Sequence, residues 1–280
     1  MKYRHSFHAG NFADVHKHVT LLALLTALQR KDKGFLYLDT HAGRGSYDLS
    51  SPAAESAAGV GRFTRATPAS EELRQYGALL ARWRSLPGQR HRYPGSPLLA
   101  VSVLRRQDRA VLIELQAAEA RALEVAVAAA VSPVGAARVE RGDGLERLRA
   151  FLPPPERRAL ILLDPPYEET QQDFAQLSAA LIEGLRRFPT GVFAAWYPIK
   201  EQRRSAAWLA SCAQRLPAPS LASELWLYPR DSRVGLNGSG LLIANPPYLI
   251  AQRMHIWLPE LERCLAAGPG SGTSVRMLSK

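Results

Sequence analysis

The 280-residue chain holds only two cysteines, Cys212 and Cys264. That excludes a disulfide scaffold and a multi-cysteine zinc site. Both lie in apolar, helix-like contexts, so the expectation is two buried thiols in a reducing compartment. Long hydrophobic runs are also missing. Val19–Leu28, the longest uncharged apolar run near the start, is far short of the roughly 20 residues a membrane span needs. Asp14, His16, Lys17 and His18 precede it, and no small-residue cleavage site follows. It therefore reads as a helix of a cytoplasmic protein, not as a secretory signal. Lysine is scarce, with 6 against 30 arginines. No repeat at a solenoid or propeller period is present.

What is there is an ordinary globular composition. Hydrophobic residues make up 46%, too many for a disordered chain. The length suits one large domain or one domain with an elaboration. The formal charge of +11 suggests a polyanionic partner. Between Arg62 and Arg106 there are nine arginines against Glu71 and Glu72, which supplies +7 of that surplus. Tyr76, Trp83 and Tyr93 interleave with them. Arginine among aromatics suits a phosphate backbone and unstacked bases; the competing reading is a solvated helical face.

Apolar residues at three- and four-residue steps predict a helix over 12–30, and another over 69–86. Apolar runs at 35–38, 110–114, 159–163 and 191–197 read as strands, and Arg138-Val-Glu-Arg141 before Gly142-Asp143-Gly144 reads as a further strand and turn. Helices are expected at 97–106, 117–130, 171–187 and 201–213, with Ser96 as N-cap and Pro97 in the first turn. Residues 223–228 and 240–244 read as two late strands, an antiparallel pair at the edge. This alternation predicts an α/β fold, a mostly parallel seven-stranded sheet covered on both faces. The Gly/Ser-rich tail 268–280 is expected to be loosely held.

Open α/β sheets bind ligands at the carboxyl ends of their strands. There the first strand presents Asp39-x-His41-x-Gly43-x-Gly45, the second Glu114, the third Asp143-Gly144 and the fourth Asp164-Pro165-Pro166-Tyr167. Together they describe a site for a nucleoside-bearing cofactor. The glycines admit the ligand to the backbone, Glu114 can accept both ribose hydroxyls, and Asp143 can accept from an adenine amine. A dinucleotide site places its ribose acid about 20 residues past the glycines, whereas Gly45 and Glu114 are 69 apart. The excess is assigned to an inserted, helical, basic subdomain at 48–95, leaving 1–47 and 96–280 as the main domain.

Asp164–Tyr167 is the most specific feature. An adenine N6 amine is a poor nucleophile because its lone pair is delocalised into the ring. The Asp164 carboxylate and Pro165 carbonyl can accept from its two N–H groups, the prolines stiffen the turn, and Tyr167 can stack on the base. A second such string, Asn245-Pro246-Pro247-Tyr248, lies too late in strand order and is read as structural. His8, His16 and His18 do not repeat at a zinc-binding spacing, so no metal is expected. His18 and His41 are placed beside the cofactor.

Four strings carry a family resemblance: Tyr3-Arg-His-Ser-Phe-His-Ala-Gly-Asn11-x-Ala-Asp14-Val-x-Lys17-His18, Asp39-Thr-His-Ala-Gly-x-Gly45, Tyr93-Pro-Gly-Ser-Pro97 and Asp164-Pro-Pro-Tyr167. With them the chain closely resembles the RlmJ family, bacterial 23S ribosomal RNA adenine-N6 methyltransferases that use S-adenosylmethionine. Phe12 and His16 are less usual choices within the first string. The resemblance implies a Rossmann-like S-adenosylmethionine-dependent methyltransferase fold with a small helical insertion subdomain. It implies cofactor contacts at His18, His41, Gly43, Ser96, Glu114, Asp143, Gly144 and Asp164, with Asp164, Pro165 and Tyr167 at the catalytic turn. It implies that Tyr3, His5, Lys17 and Tyr167 serve the RNA substrate or the active-site geometry. A cytoplasmic monomer acting on 23S ribosomal RNA is the leading expectation; a DNA adenine-N6 methyltransferase and a non-enzymatic RNA-binding protein remain the alternatives.

Overall fold

The computed structural model describes residues 8–50, 54–130, 136–167, 170–229, 232, 235–266 and 268–279. The first helix, α1 (Phe12–Gln29), is capped by Asn11, whose side chain accepts from the Asp14 N–H. Fifteen of its residues are buried, on all faces rather than along one stripe. A helix buried all round lies inside the molecule, and α1 packs between the main sheet and helices that include those of residues 54–85.

The chain continues through β1 (Leu36–Asp39), β2 (Ser46–Asp48), α2 (Ala54–Ala58), α3 (Val60–Phe63), α4 (Glu71–Ser85) and β3 (Arg92–Pro94). Next come α5 (Ser96–Val101), β4 (Arg109–Glu114), α6 (Ala117–Ala129), β5 (Ala137–Arg141), α7 (Gly144–Phe151) and β6 (Ala159–Leu163). The last part holds α8 (Thr170–Arg187), β7 (Val192–Ile199), α9 (Gln202–Arg215), β8 (Ser220–Trp226), β9 (Gly238–Ala244), α10 (Ile250–Leu265) and β10 (Gly272–Ser279).

The main sheet has the order β10-β8-β9-β7-β6-β1-β4-β5. Strands β5, β4, β1, β6 and β7 pair in parallel; β9 runs antiparallel to β7 and β8, and β10 antiparallel to β8. After β1 the chain winds outward through β4 and β5, then returns to place β6 on the other side of β1. That reversal creates a switch point at the carboxyl ends of β1, β4 and β6, the position of a Rossmann-like ligand site. The core strands β1 and β6 are buried throughout because both faces are covered by helices.

Several expectations require correction. The sheet has eight strands, not seven: the Gly/Ser-rich tail forms β10 and pairs with β8 from Gly272↔Trp226 onward. The late pair is therefore not the edge of the sheet. Helix α10 lay unread in the sequence, with Pro259 inside its pattern. Helix α5 ends at Val101 instead of continuing to Arg106. Beyond it Arg105 turns back to grip buried Asp108 through Nε and Nη2, at 3.0 and 3.1 Å.

Residues 48–95 hold α2, α3 and α4 above a small antiparallel stem, in which Tyr47 pairs with Tyr93 and Asp48 with Arg92. Glu260 of α10 accepts from the Ala69 and Ser70 N–H groups at the start of α4, and Arg253 pairs with Glu71 and Glu72. The aromatics among the arginines are not a base-stacking surface. Tyr76, Tyr93 and Trp83 are 0%, 1% and 8% exposed and form the inward side of this region. Arg65, Arg74, Arg82 and Arg90 are exposed, whereas Arg62 binds the Leu265 carbonyl and Arg92 binds Ser46.

Candidate active site at the carboxyl edge of the parallel strands

Parallel pairing brings the strand-end residues to one edge. Residues β1 Asp39, β4 Glu114, β5 Arg141 and β6 Leu163 close their strands, followed by the Gly43–Gly45 turn, Asp143 and Asp164. Gly43 and Gly45 have φ values of +61° and +78°, which side-chain-bearing residues rarely adopt. The Gly43 N–H donates to Glu114 Oε2 at 3.0 Å, and the Gln116 N–H donates to Oε1 at 2.8 Å. These bonds tie the glycine turn to the acid, and each carboxylate oxygen keeps acceptor capacity. Burial raises the Glu114 pKa, while the backbone bonds work the other way.

Asp143 is the N-cap of α7, with Oδ1 accepting from the Leu145 and Glu146 N–H groups at 2.9 and 3.1 Å. Gly144 follows because nothing larger fits: a Cβ there would lie 1.8 Å from the Thr40 carbonyl oxygen. The first turn of α7 is thereby pressed onto the end of β1. The set of a glycine turn and two strand-end carboxylates fits the hydroxyls and amine of a nucleoside.

Asp39 sits fully buried beneath the turn. Its Oδ2 accepts from Tyr37 at 2.8 Å and from Ser96 at 2.7 Å. Burial lifts its pKa to about 6 against the pull of these donors. Gly95, not Ser96, is the N-cap of α5; Ser96 is its first residue and spends its hydroxyl on Asp39. His41 Nδ1 is 2.8 Å from the Thr40 hydroxyl, and burial lowers its pKa although Asp164 and Asp143 favour the cation. His18 lies deeper, stacked on Tyr93 with Nδ1 2.7 Å from the Tyr93 hydroxyl; Tyr76 joins that hydroxyl at 3.0 Å.

The densest electrostatics lie around Asp164. Lys17 of α1 is 4% exposed, with Nζ 2.5 Å from Asp164 Oδ2 and 2.9 Å from Asp14 Oδ1. Burial disfavours the ammonium, but the two carboxylates outweigh it, so its pKa is raised and the charge persists at any physiological pH. Asp14 is in turn held by the Gly10 N–H at 2.9 Å. Pro165 is buried and Pro166 exposed. Tyr167 is 8% exposed, packs against Phe174 and Trp196, and donates its hydroxyl to the Trp196 carbonyl at 2.7 Å.

The sequence reading passed over Trp196. It stands on β7 beside Asp164, with Lys17 Nζ 5.6 Å from the ring centroid. No motif marks it, since its place depends on the β6–β7 register. Tyr3 and His5 lie outside the described residues. Asn245, in the left-handed region at φ 51°, gives its amide to the Pro189 and Gly191 carbonyls at 2.7 and 2.8 Å. That second Pro-Pro string thus locks a strand end, and Tyr248 points into solvent.

A family model described as "Ribosomal RNA large subunit methyltransferase D, RlmJ" matches residues 32–277. The chain belongs to this family. It is 38% identical over 278 residues to ribosomal RNA large subunit methyltransferase J of Escherichia coli K12, spanning 98% of this chain and 97% of that protein. The protein of the same name from Haemophilus influenzae is 37% identical over the same span. A crystal structure from Legionella pneumophila superposes with a TM-score of 0.86 at 33% identity, covering 96% of this chain and 98% of that one. The family match begins after α1, so Lys17 and His18 fall in the part of the chain that only the whole-length relatives cover. As a family member the chain has a Rossmann-like methyltransferase fold, and the glycine turn and the strand-end acids gather where β1, β4, β5 and β6 end.

Proposed function

We propose that this protein transfers the methyl group of S-adenosylmethionine to the N6 amine of an adenine in 23S ribosomal RNA. The observation that carries the reading is Asp164 at the end of β6, one oxygen held at 2.5 Å by a buried ammonium and the turn closed by two prolines. The name shared by the two curated relatives supports ribosomal RNA as the substrate. The cofactor, when bound, supplies an electrophilic methyl group. Glu114 would take its ribose hydroxyls and Asp143 its adenine amine, with the turn at Gly43 and the close packing at Gly144 setting the backbone beside them. His41 faces the same turn, while Ser96 and His18 support the pocket from behind through Asp39 and Tyr93.

Lys17 occupies Asp164 Oδ2 and leaves Oδ1 to accept one N–H of the target amine; the Pro165 carbonyl accepts the other. Two such bonds draw the nitrogen towards tetrahedral geometry and return its lone pair for attack. A fixed acceptor pair costs no reorganisation during the reaction, and in-line placement supplies much of the remaining acceleration. Asp164 is also the acceptor at hand for the proton the methylated amine sheds. Tyr3 and His5 are assigned to the target nucleotide on the family resemblance alone. The protein works in the cytoplasm as a monomer and without a metal.

Mass spectrometry of nucleosides tests this directly. A 23S ribosomal RNA fragment incubated with S-adenosylmethionine and the protein should gain N6-methyladenosine. Asp164→Asn should lower kcat roughly 100-fold or more. Methylation of duplex DNA but not of RNA would overturn the substrate assignment.

A further inference from the structure

The polar chain behind Trp196 has no part in the mechanism above. Trp196 Nε1 donates to Ser239 Oγ at 2.9 Å, and Ser239 Oγ lies 3.0 Å from His16 Nδ1. On the other side of the ring, His16 Nε2 is 3.1 Å from Ser223 Oγ. Ser239, Ser223 and His16 are all 0% exposed. The indole N–H donates into Ser239, and the imidazole bridges Ser239 and Ser223 through its two ring nitrogens. Every polar atom of this buried chain is thus satisfied, and the indole is held in one orientation by two strands and α1.

That orientation faces the reacting centre. Leu163 pairs with Ala195 across β6 and β7, so Trp196 stands one residue beyond, level with Asp164. From residue 191 to 199 all residues but Trp196 are buried, and Trp196 is half-buried. Tyr167, the aromatic of the catalytic turn, has its ring packed among Phe174 and Trp196 and its hydroxyl spent on a carbonyl. A purine whose amine reaches Asp164 therefore meets the indole of Trp196 before the ring of Tyr167. Base–aromatic contact is sequence-tolerant and strong, and a clamped ring loses little freedom on binding.

We propose that Trp196 is the aromatic wall against which the target adenine packs, a substrate-contact residue preset by the Ser239–His16–Ser223 chain. The inference rests on the reading of adenine methylation above. Its test uses the full-length protein and a short RNA carrying either adenine or the fluorescent analogue 2-aminopurine at the methylated position. In the wild type, binding should quench the analogue. Trp196→Ala should abolish the quench and lower kcat/KM for RNA roughly 5- to 100-fold, with calorimetric affinity for S-adenosylmethionine unchanged. Ser239→Ala, which leaves the indole but frees it, should fall between, and Trp196→Phe should recover part of the rate. Circular dichroism on each variant separates loss of the wall from loss of the fold. Should Trp196→Ala prove unfolded, Ser239→Ala and Trp196→Phe decide: full quench and full rate in both overturns the proposal. Wild-type quench and rate in a folded Trp196→Ala also overturn it, while the methylation reading stands. A wild type that leaves adenine unmethylated removes both.

Discussion

At the scale of single residues, the site is organised by one buried cation. Lys17 sits between Asp14 and Asp164, and removing it would leave two buried carboxylates facing each other. Its neighbour His16 follows the opposite logic. Burial with no charged partner pushes its pKa down to about 3, a hydrogen bond with the Ser239 backbone offsetting this only in part. The native state thus holds the imidazole neutral, whereas the unfolded chain protonates near the usual 6.5. Stability from this group is complete above 6.5 and is lost as pH falls below it, because the unfolded state then binds the extra proton. Between pH 6.5 and 5 the loss should amount to about 2 kcal/mol. Urea unfolding at the two pH values should show this decline in the wild type and a smaller one in His16→Asn. An equal decline in both would remove His16 as its source. The sequence marked His16 as unusual, but an imidazole beside a lysine looks the same whether it binds a ligand or two serines far along the chain.

At the scale of elements, strand-end acids were legible because an apolar run followed by Asp or Glu needs only local pattern to recognise. The wide spacing between Gly45 and Glu114 is filled by α2, α3, α4, β3 and α5. How these elements pack was not legible: α4 turns its aromatics inward because Leu73, Tyr76, Leu80 and Trp83 share one helical face that meets α1 and α10. Strand β10 was invisible for a related reason. Val275 and Met277 alternate with Ser274 and Arg276, but so short a signal beside a Gly/Ser-rich stretch does not stand out, and the strand is built by backbone pairing with β8. Deleting residues 272–280 should turn β8, with its buried Leu221, Ala222 and Leu225, into an open edge. The midpoint of thermal unfolding should fall by about 5 °C or more, and light scattering should report association that rises with concentration. An unchanged midpoint and a scatter-free solution would make β10 an ornament.

At the scale of the whole molecule, the surplus of +11 divides into two populations. Arg62, Arg92, Arg105 and Arg253 are bound to carbonyls, hydroxyls or carboxylates of the fold. Arg65, Arg74, Arg82 and Arg90 lie exposed on the inserted region. If these meet RNA phosphates, the logarithm of affinity should fall linearly with the logarithm of salt. Each Arg→Gln at a phosphate contact should flatten that slope by about 0.7, the value for single-stranded nucleic acid. Fluorescence anisotropy of labelled RNA between 50 and about 200 mM salt measures it; four substitutions that leave the slope untouched would place the RNA elsewhere.

The sequence by itself determined the strand–helix alternation, the acids that end the strands and the Asp164–Tyr167 turn. Each of these is written in contiguous residues, where periodicity and turn chemistry act. The tertiary structure decided which of the marked residues act together. Lys17 and Asp164 are 147 positions apart, His16 and Ser239 are 223 apart, and Trp196 belongs to the site only through the register of β6 with β7. Burial then assigned their chemistry, holding one side chain of α1 charged between carboxylates and the next one neutral between hydroxyls.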